Sequence, residues 1–574
     1  MTSSTTIPHR TAVADIVLEP DRPSRWERPT FAIVVTVLAY GVLVGFLGGR
    51  AHLGGDTGGR AAVLAAAETG ERGHLDVGYW AGDEDPELQF HPLYYTQVLD
   101  GRAQQVSTVP MLLLARPLVA IGGERAALAL PMAGAILAAL AAAALARGFG
   151  ALRPMAAYWL ISLASPITIY ALDLWEHTLG LACALWAIVV LQAAAQRPVV
   201  AGLTGGALFG LGATMRTEIL VAGAVFGAIA WVGLLIDRAP VKAARLAMGG
   251  AIGVSTAWVA NDVLERVVLG ASLRSARAGD VAARAGTALA DRVDDAWVTF
   301  AGLNYADRDA DRFLGGVLVL GLALAAFATF RGLRRIAFVS LLLGVVAFAV
   351  RLAAGLSFLP GLGAVFPIVA IGAVVGLADH RTRRLTTAAL LTFPAVWITA
   401  YAGMPGAQWG GRYLFVPGCV LAVVALVPDM RPALVRAVVV ALGAVVTLTG
   451  VLYLRVRTDE INRAQAAIEQ YESLDVDLIV SRVPFLWREL GSNYDPADAH
   501  LTVVDPADLP TVADVADKRG FGVIIVLRES AGQADTLPGY APIAEDPFPW
   551  VGRNLTAVLY VVDETDDSDG VRIA

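Results

Sequence analysis

The groups best suited to chemistry lie in five short runs: Gly54-Gly55-Asp56, Asp83-Glu84-Asp85, Asp173-Leu174-Trp175-Glu176-His177, Arg216-Thr217-Glu218 and Trp409-Gly410-Gly411-Arg412-Tyr413. A carboxylate can take a proton from a hydroxyl as general base. A guanidinium stays charged and grips a phosphate through two parallel hydrogen bonds, and an indole offers a flat apolar face. Each run also has a plainer use. Asp56 could be a solvated loop carboxylate. Asp173, Glu176 and His177, spaced i, i+3 and i+4, share a face if helical, which suits a site and a polar helix cap equally. Arg216 and Glu218 stand two apart and cannot meet along a helix face, so each is expected to find a partner elsewhere, one of them in a cavity. The glycines around Asp56 lack the Gly-Lys-Ser/Thr of a nucleotide loop and are read as letting backbone approach a substrate closely. His52, His74 and His91 lie among carboxylates and could supply a divalent cation, although their spacing fits no fixed metal motif.

Apolar blocks must hold these runs in place. With 56% hydrophobic and 17% charged residues, the chain is far more apolar than a soluble domain, which is ~45–50% apolar and ~25% charged. Blocks long enough to span fall at 31–49, 126–146, 155–172, 178–195, 199–215, 219–236, 246–262, 313–330, 336–352, 361–378, 385–402, 413–428 and 433–454. The fold class is therefore a polytopic α-helical membrane protein of about 13 transmembrane helices. A net charge of −7 supplies no basic footprint and excludes nucleic acid as a partner. Cys183 and Cys419 both fall inside apolar blocks, which excludes a disulfide framework or thiolate metal site.

The arm 1–30 carries Arg10, Arg22, Arg25 and Arg28 before the first block. It is expected to stay cytoplasmic, with that block a retained helix running outward. Alternating the spans then makes every inside loop short and basic, and puts all five runs on the outer face. The segment 106–121, interrupted by Pro110, Arg116 and Pro117, would flip every later loop if counted as a span. It is read instead as an interfacial or re-entrant piece of a long first outer loop, 50–125. From residue 455 the chain emerges outside, with 10 Lys/Arg against 22 Asp/Glu. A helix near 458–473 and β-rich runs at 476–480, 501–505, 521–527 and 555–562, with helix-like DLPTVADVADKRG among them, make 455–574 a small extracytoplasmic α/β domain.

The run LGGDTGGRAAVLAAAETGERGHLDVGYWAGDEDP after the first span looks like the long outer loop of a known family, and LWEHTLG at 174–180, MRTE at 215–218 and QWGGRYLFVP at 408–417 look like segments of its actinobacterial members. Over about 30–454 the architecture resembles the type C (GT-C) superfamily of membrane glycosyltransferases. The use of arginine over lysine, with only Lys242 and Lys518 present, agrees with a GC-rich bacterial source. The resemblance implies transfer of a sugar from a polyprenyl-phosphate donor to a cell-envelope glycan, lipid or protein acceptor at the outer face of the bacterial plasma membrane. Asp56 falls where the family's catalytic aspartate stands. The family's acidic pair is broken by Thr57, so Asp83-Glu84-Asp85 competes for the role, and Asp56 is favoured for its closeness to the first span. Under this reading Asp56 is the base of an inverting transfer, and Arg412 and Arg216 hold the phosphate. Glu176, His177 and Glu218 line the sugar pocket, Asp83 and Glu84 also meet substrate, and Trp80, Trp175 and Trp409 cover the sugar ring. No cofactor is implied beyond the divalent cation that the histidines could bind. The acidic domain is expected to bind acceptor glycan. A lipid-linked glycan polymerase or ligase would share the architecture. A transporter or flippase would place its polar groups at the bilayer midplane in repeated halves, and a scaffold would not need 13 helices.

Overall fold

The computed structural model describes residues 24–48, 54–69, 75–105, 107–273, 299–300, 308–353, 361–399, 409–427, 433–530, 535–550 and 554–563. The chain begins with α1 (Pro29–Phe46), α2 (Gly55–Thr69), a hairpin of β1 (Thr96–Leu99) and β2 (Arg102–Gln105), and α3 (Val109–Ala127). There follow α4 (Ala129–Gly148), α5 (Met155–Leu163), α6 (Pro166–Ala171), α7 (His177–Leu191), α8 (Pro198–Met215), α9 (Glu218–Ile236) and α10 (Pro240–Leu269). The second half of the helical part holds α11 (Arg308–Phe330), α12 (Arg334–Ala353), α13 (Leu362–Val365), α14 (Ile368–Ala378), α15 (Arg383–Thr399), α16 (Phe415–Val424) and α17 (Ala433–Glu472). The C-terminal domain comprises β3 (Leu478–Ser481), α18 (Leu486–Glu489), β4 (His500–Thr502), α19 (Leu509–Arg519), β5 (Val523–Glu529), β6 (Tyr540–Phe548) and β7 (Leu555–Val562).

Among the described residues, six helices are long and apolar enough to cross a membrane, those at Pro29–Phe46, Ala129–Gly148, Pro198–Met215, Glu218–Ile236, Phe313–Phe330 and Val440–Glu472, and shorter apolar helices stand beside them. Each of the thirteen expected blocks meets helix, but two are interrupted. The block at 155–172 breaks between α5 and α6, where Ser165 Oγ accepts from Ile167 N at 3.1 Å and donates to Ile161 O at 2.6 Å, ahead of Pro166. The block at 361–378 breaks before Ile368, at Pro367. Proline cannot donate to the preceding turn, so a side-chain hydroxyl or a fresh helix start takes its place. An alanine face on α4 (Ala135, Ala138, Ala139, Ala142 and Ala146) is fully buried, which lets α7 pack closely. α1 instead turns Val34, Val37, Leu38 and Val42 outward, an apolar face suited to lipid.

Within the segment 106–121, α3 begins at Val109; it bends at Gly122 and Gly123 and is not among the six long apolar helices. Its Met111, Leu112 and Ala115 share one apolar cluster with Val63 and Leu64 of α2, Ile461 of α17, Leu486 and Trp487 of α18, and Ile525 of β5. The segment after α1 and the C-terminal domain thus have a common core. The boundary expected at 455 falls inside α17, a single 40-residue helix. No glycine or proline interrupts it from Val451 to Glu472, and Arg455 pairs with Asp459 one turn on at 3.1 Å. Four of the five strands of the domain sheet lie at the expected runs. The sheet order is β4-β3-β5-β7-β6, parallel between β4, β3 and β5 and antiparallel between β5, β7 and β6. β6 is the unexpected strand. Its Pro542 and Pro547 and exposed acidic residues hide the alternation, and its place at the sheet edge tolerates them.

Candidate active site

α2 starts at Gly55, so Asp56 lies in its first turn with its side chain toward the membrane helices and the C-terminal domain together. Asp56 Oδ2 accepts from Arg412 Nη1 at 3.2 Å, and Oδ1 accepts from Arg488 Nη2 at 3.0 Å. One turn on, Arg60 folds back, donating from Nη1 to Asp56 O at 2.9 Å, and its Nη2 pairs with Glu176 Oε2 at 2.5 Å. Glu176 Oε1 also meets Arg216 Nη1 at 3.3 Å, and Arg216 Nε donates to Glu218 Oε1 at 3.0 Å. Four guanidiniums therefore meet three carboxylates. Asp173 stands one hydroxyl further back, accepting from Thr57 Oγ1 at 2.8 Å, while Trp175 Nε1 donates to the same hydroxyl at 2.7 Å. The Trp175 ring lies under Arg60 and Arg412, 5.5 and 5.3 Å from their guanidinium carbons. Tyr413 stands likewise under Arg216 and Arg412.

Burial by itself would raise the Asp56 carboxyl, but the charges of Arg488, Arg60, Arg412 and Arg216 outweigh it and hold the group well below the usual carboxylate range. Asp56 is ionised at neutral pH, and its side chain keeps 27% of its surface open where the arginines beside it keep 13% or less. It is the most open of the three carboxylates, against 11% for Glu218 and 2% for Glu176.

Several expectations are corrected by this geometry. Arg216 and Glu218 do pair, because they are not on one helix: α8 ends at Met215, Arg216 is extended and α9 begins at Glu218, which folds the two side chains together. Asp173 and Glu176 do not share a helix face. They lie in the turn before α7, with Asp173 facing Thr57 and Glu176 facing two arginines. The glycines after Asp56 admit another stretch of this chain, not a substrate. A Cβ on Gly58 would run into Arg488 O, and one on Gly491 into Gly58 O.

The other predicted residues fall as follows. His177 is buried, stacked on Trp175 with ring centroids 4.8 Å apart and beside Tyr170 at 4.9 Å. Trp409 is fully buried and stacks on Tyr453 of α17, and Trp80 packs on Phe521 with Arg519 over its ring. Neither Trp409 nor Trp175 presents an open face. Of the acidic cluster, Glu84 pairs with Arg519 at 2.6 Å, and Asp85 accepts from Tyr79 Oη and the amides of Gln89 and Phe90. This ties Glu84 to the domain and Asp85 to its own loop. His52 and His74 lie outside the described residues, as does Gln408. His91 has both ring nitrogens engaged, with Gly78 O and Leu93 N at 3.0 Å, and burial pushes it down to about 4. Glu472, Asp498 and His500 form a separate group whose ligand atoms lie within 4.8 Å of one another.

Sequence reasoning passed over Arg60 and Arg488. Arg60 was within reach, since i, i+4 from Asp56 in a helix forces the two together. Nothing local marks Arg488, which lies 432 residues from Asp56.

Fold and site together define a polytopic helical membrane protein with a small C-terminal mixed sheet and a carboxylate–guanidinium centre between them. No family model and no curated protein matches the chain. It is similar to the crystal structure of ArnT from Cupriavidus metallidurans in the apo state, at 14% identity and TM-score 0.44, covering 92% of this chain and 98% of that one. It is also similar to the structure of the same protein bound to undecaprenyl phosphate, at 14% identity and TM-score 0.40, covering 92% and 97%.

Proposed function

We propose that the chain is a membrane glycosyltransferase that moves a sugar from a polyprenyl-phosphate donor to a cell-envelope acceptor. The observation that carries this reading is Asp56 itself: one partly open, ionised carboxylate clasped by Arg412 and Arg488 and backed by Arg60 and Arg216. A hydrolase would need a second carboxylate as acid or nucleophile; Glu176 and Glu218 are each paired with arginine and are less open than Asp56, with side-chain exposures of 2% and 11% against 27%. A single base beside several cations suits displacement of a phosphate instead. Asp56 takes the proton of the acceptor hydroxyl, and the hydroxyl oxygen bonds to the anomeric carbon. The bond from that carbon to the phosphate oxygen breaks, and the electron pair leaves with the phosphate. Guanidiniums stabilise the charge that grows there. Attack opposite the leaving phosphate inverts the anomeric centre. Arg412 and Arg216 are assigned to the phosphate, Glu176 and Glu218 to orienting Arg216 beside the sugar, and His177 to the pocket wall. A donor anchored by its own lipid needs the site near the bilayer boundary, where α2 follows α1.

The test is transfer of labelled sugar from a panel of polyprenyl-phosphate sugars by membranes containing the full chain. Product from at least one donor is expected. Membranes that hold the folded chain and transfer from none would contradict the reading.

A further inference from the structure

One guanidinium of the site comes from no membrane helix. Arg488 belongs to α18, is 5% exposed, and reaches Asp56 from the C-terminal domain. Its helix is fastened on several sides. Trp487 Nε1 donates to Leu501 O at 2.9 Å and its ring stacks on His500, Glu489 pairs with Arg457 of α17, and the Arg488 carbonyl rests against Gly58. So deep a cation calls for anions around it. Yet among the described residues the buried Nε atoms of Arg60, Arg412 and Arg488 have no hydrogen-bond partner. Glu218 Oε2 is likewise without a partner, but the three Nε donors outnumber it, and a phosphate group brings several acceptor oxygens to fill them.

We propose that Arg488 is a phosphate ligand, so that the C-terminal domain completes the donor site. The proposal rests on the reading above, in which the site takes a polyprenyl-linked phosphate. Phosphate oxygens compete with Asp56 for Arg488 and Arg412. When the two guanidiniums turn to the phosphate, Asp56 loses its clasp and becomes the stronger base. The clasp on Asp56 thus quenches the base, and phosphate bound at the two guanidiniums relieves it.

The experiment is binding of polyprenyl phosphate, and separately of inorganic phosphate, to the full chain in nanodiscs, read by tryptophan fluorescence. Wild type is compared with Arg488→Gln and Arg488→Lys. Loss of one charge-assisted fork predicts binding of polyprenyl phosphate weakened about tenfold or more in Arg488→Gln. Arg488→Lys, which keeps the charge without the fork, should fall between. Inorganic phosphate should rank the three proteins in the same order at higher concentration. If it binds as tightly as the lipid, the site is one for free phosphate and the donor-site proposal fails. Unchanged binding of polyprenyl phosphate in both variants overturns the proposal even where transfer is lost, because Arg488 would then act only through Asp56. Should Arg488→Gln lose its thermal transition, the lysine variant decides. A wild-type chain that transfers sugar while both variants bind normally sinks this inference alone. A wild-type chain that neither binds polyprenyl phosphate nor transfers sinks the underlying reading with it.

Discussion

The charge state of Asp56 follows from its neighbours. Four guanidiniums hold its carboxyl below the ordinary range, so its ionised form stabilises the fold above the unfolded value, about pH 4. That contribution is lost only as pH falls further, through the folded value. If Asp56 is the base, kcat/KM should stay level from about pH 7 down to about pH 5, and a pH–rate profile showing an acid limb near pH 6 would move the base to another group. Glu176 sits between two arginines with 2% of its surface exposed. Glu176→Ala leaves Arg60 and Arg216 buried and under-compensated, which predicts a loss of about 3 kcal/mol in thermal denaturation. A stability equal to wild type would show that water or the remaining carboxylates neutralise them.

At the scale of elements, the site depends on how closely α2 passes α18. Gly58→Ala puts a methyl group against the Arg488 carbonyl, predicting about 1–3 kcal/mol of destabilisation together with reduced transfer. Gly41→Ala, on α1 where nothing lies within 4 Å of the added atom, should leave both unchanged. Equal behaviour of the two variants in thermal melts would contradict the packing. These contacts also explain what the sequence could reveal. Apolar blocks, basic loops and the β-rich runs were legible because composition and period report burial directly. α3 shares an apolar cluster with α2 and the C-terminal domain. The breaks at Ser165 and Pro367 were hidden inside apolar stretches, and α17 ran through the expected boundary because hydropathy changes there while helix propensity does not. Asp56 and Arg412 stand out in the sequence by residue type. Their meeting with Arg488 is a tertiary event with no local trace.

For the whole molecule, the segment after α1 and the C-terminal domain share one core. Expected as a separate acceptor-binding piece, the domain supplies Arg488 and shelters α2. Deleting 455–574 also cuts α17 in half. The truncated chain should therefore lose donor binding and transfer together, and retention of donor binding with loss of acceptor use alone would restore the separate role. A reporter fused after residue 574 should be active only on the outer side of the membrane, and activity in the cytoplasm would contradict the orientation. The most direct measurement is the initial rate of sugar transfer by the wild-type chain and by Asp56→Asn, at equal amounts of folded protein and with the donor that supports turnover. Loss of a general base predicts a fall of about 10²–10⁴-fold in kcat with the fold intact; an Asp56→Asn protein that transfers at the wild-type rate would show that Asp56 is not the base.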